Sequence, residues 1–378
     1  MAMEPTRVLL ACSGLDHARR GFESFARECF EALRDEPRLD LELVKGSGPP
    51  GERERSVPTL TRDNRLARAL GRATGREPFR FEQAAFGLSL QPLLLRRPPD
   101  VVYFSEWHTG LALAALRRAT RRRFALVLCN GTMALEGFGH LDRVQELTPA
   151  ALEAVLERGA DPARHRMLPL GFAIAPRLEP LAPADRAALR DRLGLPRDRP
   201  IVLATAALNR HHKRLDYLVE EVARLSEPRA YLLLAGQREA ETPGIEALAR
   251  ERLGEAGHSV RTVPQREVAD LLRAADLYVL PSLGEGLPRA LVEALAAGLP
   301  CLTHDYGVTR FALGEHGRFA DFTRPGALAR LLAAAAGGDG GGPKAALERH
   351  RFAYERFGWE RLRPRYVELL RGAQPVSA

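Results

Sequence analysis

Two successive series of short aliphatic runs, each run followed by an amphipathic helical stretch, limit the folds open to this chain more than any other feature. In the first series Arg7–Cys12, Leu39–Val44, Val101–Phe104, Phe124–Cys129 and Met167–Leu170 read as strands, with helices at Gly21–Arg34, Thr109–Thr120 and Pro149–Arg158. Apolar runs separated by helices are the mark of βαβ units and a parallel sheet covered on both faces. GSGPPGERERSVP (Gly46–Pro58) reads as a mobile loop on its composition. After Leu170 the chain becomes proline-rich and loses its period, so residues 171–185 read as a linker between domains 1–170 and 186–350. The second series has strands at Ile201–Ala206, Ala230–Ala235, Ser259–Val263, Leu277–Leu280 and Pro300–Thr303. Its helices are Arg214–Leu225, Pro243–Leu253, Glu267–Ala274 and Pro288–Ala297. A glycine-rich breaker (Gly337–Gly342) precedes the final helical segment, which holds Trp359 and Tyr366. The fold class is α/β, with two doubly wound domains. Ligands of such sheets bind beyond the carboxyl ends of the strands, so the cleft between the domains is the expected site.

Composition removes other classes. The chain has 378 residues, 45% of them hydrophobic and 28% charged, which suits two or three domains and excludes disorder. No apolar run approaches the roughly 18–20 residues of a membrane span, and the short run at Val8–Cys12, preceded by Glu4, is no signal-peptide core. The chain therefore reads as cytoplasmic. Cys12, Cys29, Cys129 and Cys301 are scattered without a CxxC pair, so they read as reduced structural thiols, with no metal site.

A net charge of +8 raises nucleic acid, an anionic membrane or a phosphorylated ligand as partners. Of the 56 basic residues 53 are arginine; 26 basic and 22 acidic residues fall in 1–168, a local balance of only +4. That spread reads as a solvated arginine-rich surface, and no stacking-aromatic module points to nucleic acid. With lysine so rare (Lys45, Lys213 and Lys344 alone), the placement of Lys213 carries information.

The most informative stretch is DLYVLPSLGEGLPRALVEALAAGLPCLTHD (Asp276–Asp305). A buried strand ends at Pro281, a glycine-containing loop carries Glu285, and a helix starts near Pro288 with Glu293 inside it. Free amides at such a helix start attract anions. Two carboxylates at this spacing can accept sugar hydroxyls; alternatively Glu293 pairs with Arg289 at i, i+4.

Glu285 and Glu293 form an E-x7-E pattern, and EGLPRALVEALAAGLP is similar to the donor-site signature of retaining glycosyltransferases of family four. The resemblance extends through HHKRLDYLVEEVARL and VPQREVADLLRAADLYVLPS, covering roughly Pro200–Pro325, and more weakly the first domain. It implies the GT-B architecture: two Rossmann-like domains facing across a cleft, with the C-terminal helix (351–378) packing back on the first. By this resemblance Lys213 binds the donor diphosphate, and Arg210 replaces an arginine usually found where this chain has Leu208. Glu285 holds the sugar, Glu293 the ribose, and the amides near Gly286 and Leu287 assist. His108, in FSEWHTGLALAAL, matches a histidine that points at the donor sugar. On the acceptor side the candidates are Gly14 and Gly21, in SGLDHARRGFESF, and Asn130. Leu170-Gly171-Phe172-Ala173 departs from the family's Asn-Gly-Val-Asp-like turn.

The implied activity is transfer of a sugar from a nucleoside-diphosphate sugar to a hydroxyl acceptor, with retention of anomeric configuration and no metal or other cofactor. A lipid-linked acceptor would bring peripheral membrane contact. The alternatives are a nucleotide-sugar epimerase, a phosphorylase and a non-catalytic nucleotide-sugar-binding protein.

Overall fold

The computed structural model describes residues 4–18, 21–131, 134–335 and 342–375. Of the expected breaker Gly337–Gly342 only Gly342 lies within these, as the first residue of a helix; Arg19 and Arg20, between Gly14 and Gly21, lie outside them. The chain forms two units, one from the residues up to Ala173 together with those from Trp359 on, the other from Ile174–Gly358.

The first unit runs β1 (Thr6–Cys12), α1 (Gly21–Leu33), β2 (Leu39–Lys45), β3 (Glu54–Ser56), α2 (Arg65–Thr74), α3 (Pro78–Ser89), α4 (Gln91–Arg96), β4 (Val101–Phe104), α5 (Trp107–Thr120), β5 (Ala125–Cys129), β6 (Arg143–Glu146), α6 (Pro149–Glu157) and β7 (His165–Met167). Its seven strands are parallel in the order β3-β2-β1-β4-β5-β6-β7, so the direction of winding reverses between β1 and β4.

Three differences from the sequence reading have physical causes. The Gly46–Pro58 loop contains the edge strand β3, whose polar Glu-Arg-Ser has no alternation to reveal it. Helices α2–α4 occupy a stretch left without elements. Strand β6 (Arg-Val-Gln-Glu) looks like a polar turn but buries Gln145 and Glu146 completely. Gln145 accepts from Tyr103 and donates to the Leu168 carbonyl (2.8 Å), while Glu146 accepts from Asn130 (2.9 Å) and faces His165 Nδ1 (2.9 Å). Buried polar groups so partnered do not destabilise a core.

The second unit runs α7 (Pro183–Arg192), β8 (Ile201–Thr205), α8 (Leu215–Ala223), β9 (Tyr231–Ala235), α9 (Thr242–Leu253), β10 (His258–Arg261), α10 (Gln265–Ala274), β11 (Leu277–Leu280), α11 (Arg289–Ala296), β12 (Cys301–His304), α12 (Gly307–Leu313), β13 (Gly317–Ala320), α13 (Ala327–Ala334) and α14 (Gly342–Phe357). Its sheet is parallel, in the order β10-β9-β8-β11-β12-β13. The segment expected as linker ends inside α7. That helix is held by Arg186 and Arg190, whose guanidinium groups reach Asp276 at 2.8 and 2.6 Å.

The final segment divides at Gly358 rather than at 351. Helix α14 stays with the second unit, where Arg349 donates to Gly298 O (2.8 Å). Helix α15 (Trp359–Arg371) belongs to the first. There Trp359 N–H donates to Phe172 O (3.1 Å), its indole stacks on Phe25 with ring centroids 6.0 Å apart, and the Tyr366 hydroxyl donates to Pro169 O (2.9 Å).

The departure at Leu170–Ala173 acquires a steric meaning from this packing. A Cβ on Gly171 would come within 2.5–2.6 Å of the Trp359 ring. Gly171→Ala is expected to destabilise the first unit by about 1–3 kcal/mol, the usual range for overpacking a tight core. Urea denaturation followed by tryptophan fluorescence measures it; an unchanged midpoint would show that α15 gives way freely.

Candidate functional site

In the second unit the central strands β8 and β11 are hydrogen-bonded neighbours, pairing Leu277 with Val202 and Tyr278 with Leu203. Because they are parallel, the loops that follow them emerge at the same sheet edge. The first loop, 206–214, is shaped by two buried residues. Leu208 is fully buried and its N–H donates to Gln237 O (2.9 Å). Asn209 accepts from the amides of Lys213 (2.8 Å) and His212 (3.3 Å) and donates to Glu239 (3.0 Å). This asparagine turn delivers the Lys213 ammonium onto the Glu285 carboxylate in the second loop. The side chains retain 18% and 10% exposure, so the pair is shielded yet reachable. His212 faces Gly284 O through Nε2 (3.1 Å) and lies 3.7 Å from Glu285. The Tyr306 hydroxyl also lies beside Glu285: its pKa is pushed up by burial and then by that negative charge.

The other expected donor residues divide. Gly286 and Leu287 continue the Glu285 loop, with Leu287 buried. Pro288 is the N-cap of α11, one position earlier than the first-turn place expected. Glu293 accepts from Arg289 at 3.4 Å, so the i, i+4 pair exists, with the Glu293 side chain still 24% exposed. Arg210 lies in the same loop as Lys213, on its α9 side. Its amide donates to Glu241 (2.6 Å), and its guanidinium lies over Gly244 in the first turn of α9, where a Cβ would stand 2.8 Å from Nη2. Lys213 is thus the cation that meets Glu285. Arg214, held at φ 50°, donates to Phe322 O (3.0 Å) and covers the Tyr217 ring.

In the first unit a buried network stands at the β1/β4 reversal. Glu106 accepts from Ser13 N–H (2.8 Å), Ser13 Oγ (2.7 Å) and Thr109 Oγ1 (2.9 Å). Burial nonetheless pushes its pKa up to about 7. Burial works in the same direction on Glu82, but bonds from His17 and Arg62 outweigh it and hold that carboxyl at about 2. His17 is raised by the same contact with Glu82. A Cβ on Gly14 would fall 2.2 Å from Glu23 Oε1 and 2.9 Å from Arg62 Nη2, so the ends of both side chains would have to shift to admit one. Gly21 opens α1.

His108, in the first turn of α5, sets its amide (3.3 Å) and Nδ1 (3.2 Å) against Gln83 Oε1. Nδ1 is therefore the protonated nitrogen, leaving Nε2 as acceptor. Burial, then Arg80 and Arg76, lower its pKa, so the ring is neutral near pH 7. Asn130 is buried and donates to Glu146 and to Ala134 O, both at 2.9 Å, so these bonds occupy its amide within the core. Among the described residues no group of three His, Cys, Asp or Glu is arranged to hold a metal ion. Sequence reasoning missed Asn209, His212, Tyr306 and Glu106. Only Asn209 left a signal, an asparagine placed to cap the turn four residues before the lysine.

Residues 199–336 match the family described as Glycosyl transferases group 1. Over 214 residues the chain is 33% identical to a D-inositol 3-phosphate glycosyltransferase of Xylanimonas cellulosilytica, covering 53% of this chain and 50% of that protein. It is 30% identical to mannosylfructose-phosphate synthase of Agrobacterium fabrum over 194 residues, 48% of this chain and 42% of that one. The chain thus spans half or less of the curated relatives it matches. Whole-chain likeness comes from structures. A sucrose-phosphate synthase from Thermosynechococcus elongatus superposes with a TM-score of 0.77 at 21% identity, covering 97% of this chain and 98% of that one. Anabaena HepE, in complex with UDP and glucose, gives 0.75 at 16% identity, covering 97% and 100%. The fold is that of these proteins, the GT-B architecture of two Rossmann-like units.

The raised Glu106 makes a pH prediction. Below about pH 4.5 this carboxyl is protonated both folded and unfolded. Between there and about 7 the folded state binds the extra proton, so stability falls as pH rises; above 7 the penalty is constant. Glu106→Gln removes the titration. Its stability relative to the parent should rise by on the order of 3 kcal/mol between pH 4.5 and 7.5. Urea denaturation of both proteins across that range measures the difference, and a constant gap would contradict the assignment.

Proposed function

We propose that the protein is a glycosyltransferase that moves a sugar from a nucleoside-diphosphate sugar to a hydroxyl acceptor with retention of anomeric configuration. The Lys213–Glu285 pair, at the carboxyl edge of a sheet inside the glycosyl transferases group 1 region, is the observation that carries this reading. A diphosphate needs a shielded cation, and Lys213 is one of three lysines in the chain. A sugar needs acceptors for its hydroxyls, and Glu285 supplies them. The partly exposed Glu293 is assigned to the ribose. The UDP and glucose named with the HepE structure support a nucleotide-sugar donor of this class.

The reaction breaks the anomeric C–O bond to phosphate through an oxocarbenium-like transition state. Charge grows on the departing diphosphate as the sugar becomes positive. A cation fixed beforehand at the phosphate lowers that barrier more than it strengthens ground-state binding. The acceptor oxygen bonds to the anomeric carbon on the face the phosphate leaves, and its proton passes to the leaving phosphate oxygen. Neither step calls for a metal or a further cofactor. His108 of the first unit, neutral with Nε2 as acceptor, is assigned to the turnover step rather than to holding the nucleotide.

A thermal-shift screen of nucleoside diphosphates identifies the base, since ligand binding raises the melting temperature. Lys213→Ala should then weaken that nucleotide about tenfold or more in calorimetry, because a charge-assisted bond is worth roughly 1.5–3 kcal/mol. Unchanged affinity would remove Lys213 from the phosphate.

His108→Ala should lower turnover by on the order of 10²–10³ with little change in nucleotide affinity. NMR of the product's anomeric configuration tests the stereochemistry: inversion would reject retention. Consumption of the sugar nucleotide without acceptor would favour an epimerase, and binding without turnover a pseudoenzyme.

A further inference from the structure

The two donor-site groups of the second unit already satisfy each other. The Lys213 ammonium donates to Glu285 Oε1, and both side chains are largely shielded from water. Their charges cancel, so the pair offers a diphosphate no net positive charge. An anion that binds Lys213 must take it from Glu285. The carboxylate is then left shielded and without its cation, beside a second negative charge. A carboxylate stripped of its partner in such a place is strongly unfavourable.

The surroundings decide which ligands can do this. Asn209 Oδ1 holds the amides of both His212 and Lys213, so the turn is fixed and the flexible lysine stem alone is left to change partner. His212 Nε2 lies 3.7 Å from Glu285 but donates to Gly284 O at 3.1 Å, so it does not stand in for the ammonium.

Lys45 is the contrast. Its side chain is 3% exposed and meets two carboxylates, Asp16 and Glu54, a closed structural cluster. Among the described residues Lys213 meets Glu285 alone, and it stays within reach of solvent.

We propose that Glu285 is an internal competitor for Lys213, which makes the site select a sugar nucleotide over the free nucleoside diphosphate. A sugar nucleotide brings phosphate to Lys213 and hydroxyls to Glu285, so both members of the broken pair are partnered again. A free nucleoside diphosphate brings phosphate alone and leaves Glu285 unpaired. Specificity of this kind is built by penalising the wrong ligand as well as by holding the right one. Once the sugar has been transferred, Glu285 reclaims the ammonium and the nucleotide loses its cation as it departs. The proposal rests on the donor site argued above, yet it gives Glu285 an effect opposite in sign to that of an ordinary ligand residue. Its loss strengthens binding of the product.

Calorimetry tests this with inorganic pyrophosphate, with the nucleoside diphosphate selected by the thermal-shift screen, and with that nucleotide's glucose, galactose and mannose conjugates. Glu285→Gln keeps the size of the side chain and removes its charge. It is expected to bind pyrophosphate and the nucleoside diphosphate about tenfold more tightly than the parent, the worth of one charge-assisted bond. Affinity for the best-bound conjugate should change little, so the preference for conjugate over nucleotide falls about tenfold. Glu285→Ala should shift the two anions in the same direction. In Lys213→Ala/Glu285→Gln, compared with Lys213→Ala, the gain should shrink below about threefold, because it acts through the lysine. A full tenfold gain there would mean plain repulsion between Glu285 and phosphate and would overturn the competition. If neither the parent nor Glu285→Gln binds any of these anions, the donor-site reading fails and the proposal with it. If the parent binds them and Glu285→Gln binds no more tightly, the donor site stands and the proposal is overturned.

Discussion

Parallel pairing of β8 with β11 is the constraint on which the second unit's chemistry depends. It brings two loops to one edge, where the ammonium of one meets a carboxylate 72 residues on in the other. The opposite end of the same strand pair is pinned by Asp276. Its carboxylate accepts from Arg186 (2.8 Å), from Arg190 (2.6 Å) and from the Ile201 amide at the start of β8 (2.7 Å). An anchor at the amino end fixes register, and register fixes where both loops emerge. The ion pair and its asparagine turn are therefore built on rigid strands, as a site that must hold its geometry requires.

The first unit follows another logic at its own β1/β4 reversal. Carboxylates are buried there at different charge states. Glu82 is kept ionised by a histidine and an arginine, whereas Glu106, bonded only by hydroxyls and an amide, is pushed towards neutrality. Neutral donors stabilise a carboxylate less than a guanidinium does, so burial prevails in one case and loses in the other. Two carboxylates separated this way near His108 give that part of the sheet edge a graded electrostatic character.

Most of the strands and the E-x7-E loop were legible because buried parallel strands are apolar end to end and need no context to be recognised. Strand β6 was not, since Gln145 and Glu146 become tolerable in a core only through partners distant in sequence, Tyr366 among them. Lys213 could be singled out by its rarity and its place before a helix. Its contact with Glu285 could not, because no spacing rule links positions 213 and 285. Arg210 was expected from the resemblance to replace an arginine at the phosphate; its amide donates to Glu241 and its guanidinium lies over Gly244 at the start of α9, which no spacing rule foretells. Charge was misleading when averaged by halves. Residues 62–123 carry an excess of positive charge that the balance over residues 1–168 hides.

The chain's double crossing, at Ala173 and again at Gly358, also sets what each unit needs in order to close. The second unit is continuous in sequence and completes its core from one stretch. The first unit needs α15, distant in sequence, to cover Phe25 and Gly171. Until α15 docks, it is a body with an open aromatic seat, apolar surface of the kind a chaperone meets. A segment far down the chain finishes the unit that its beginning opens.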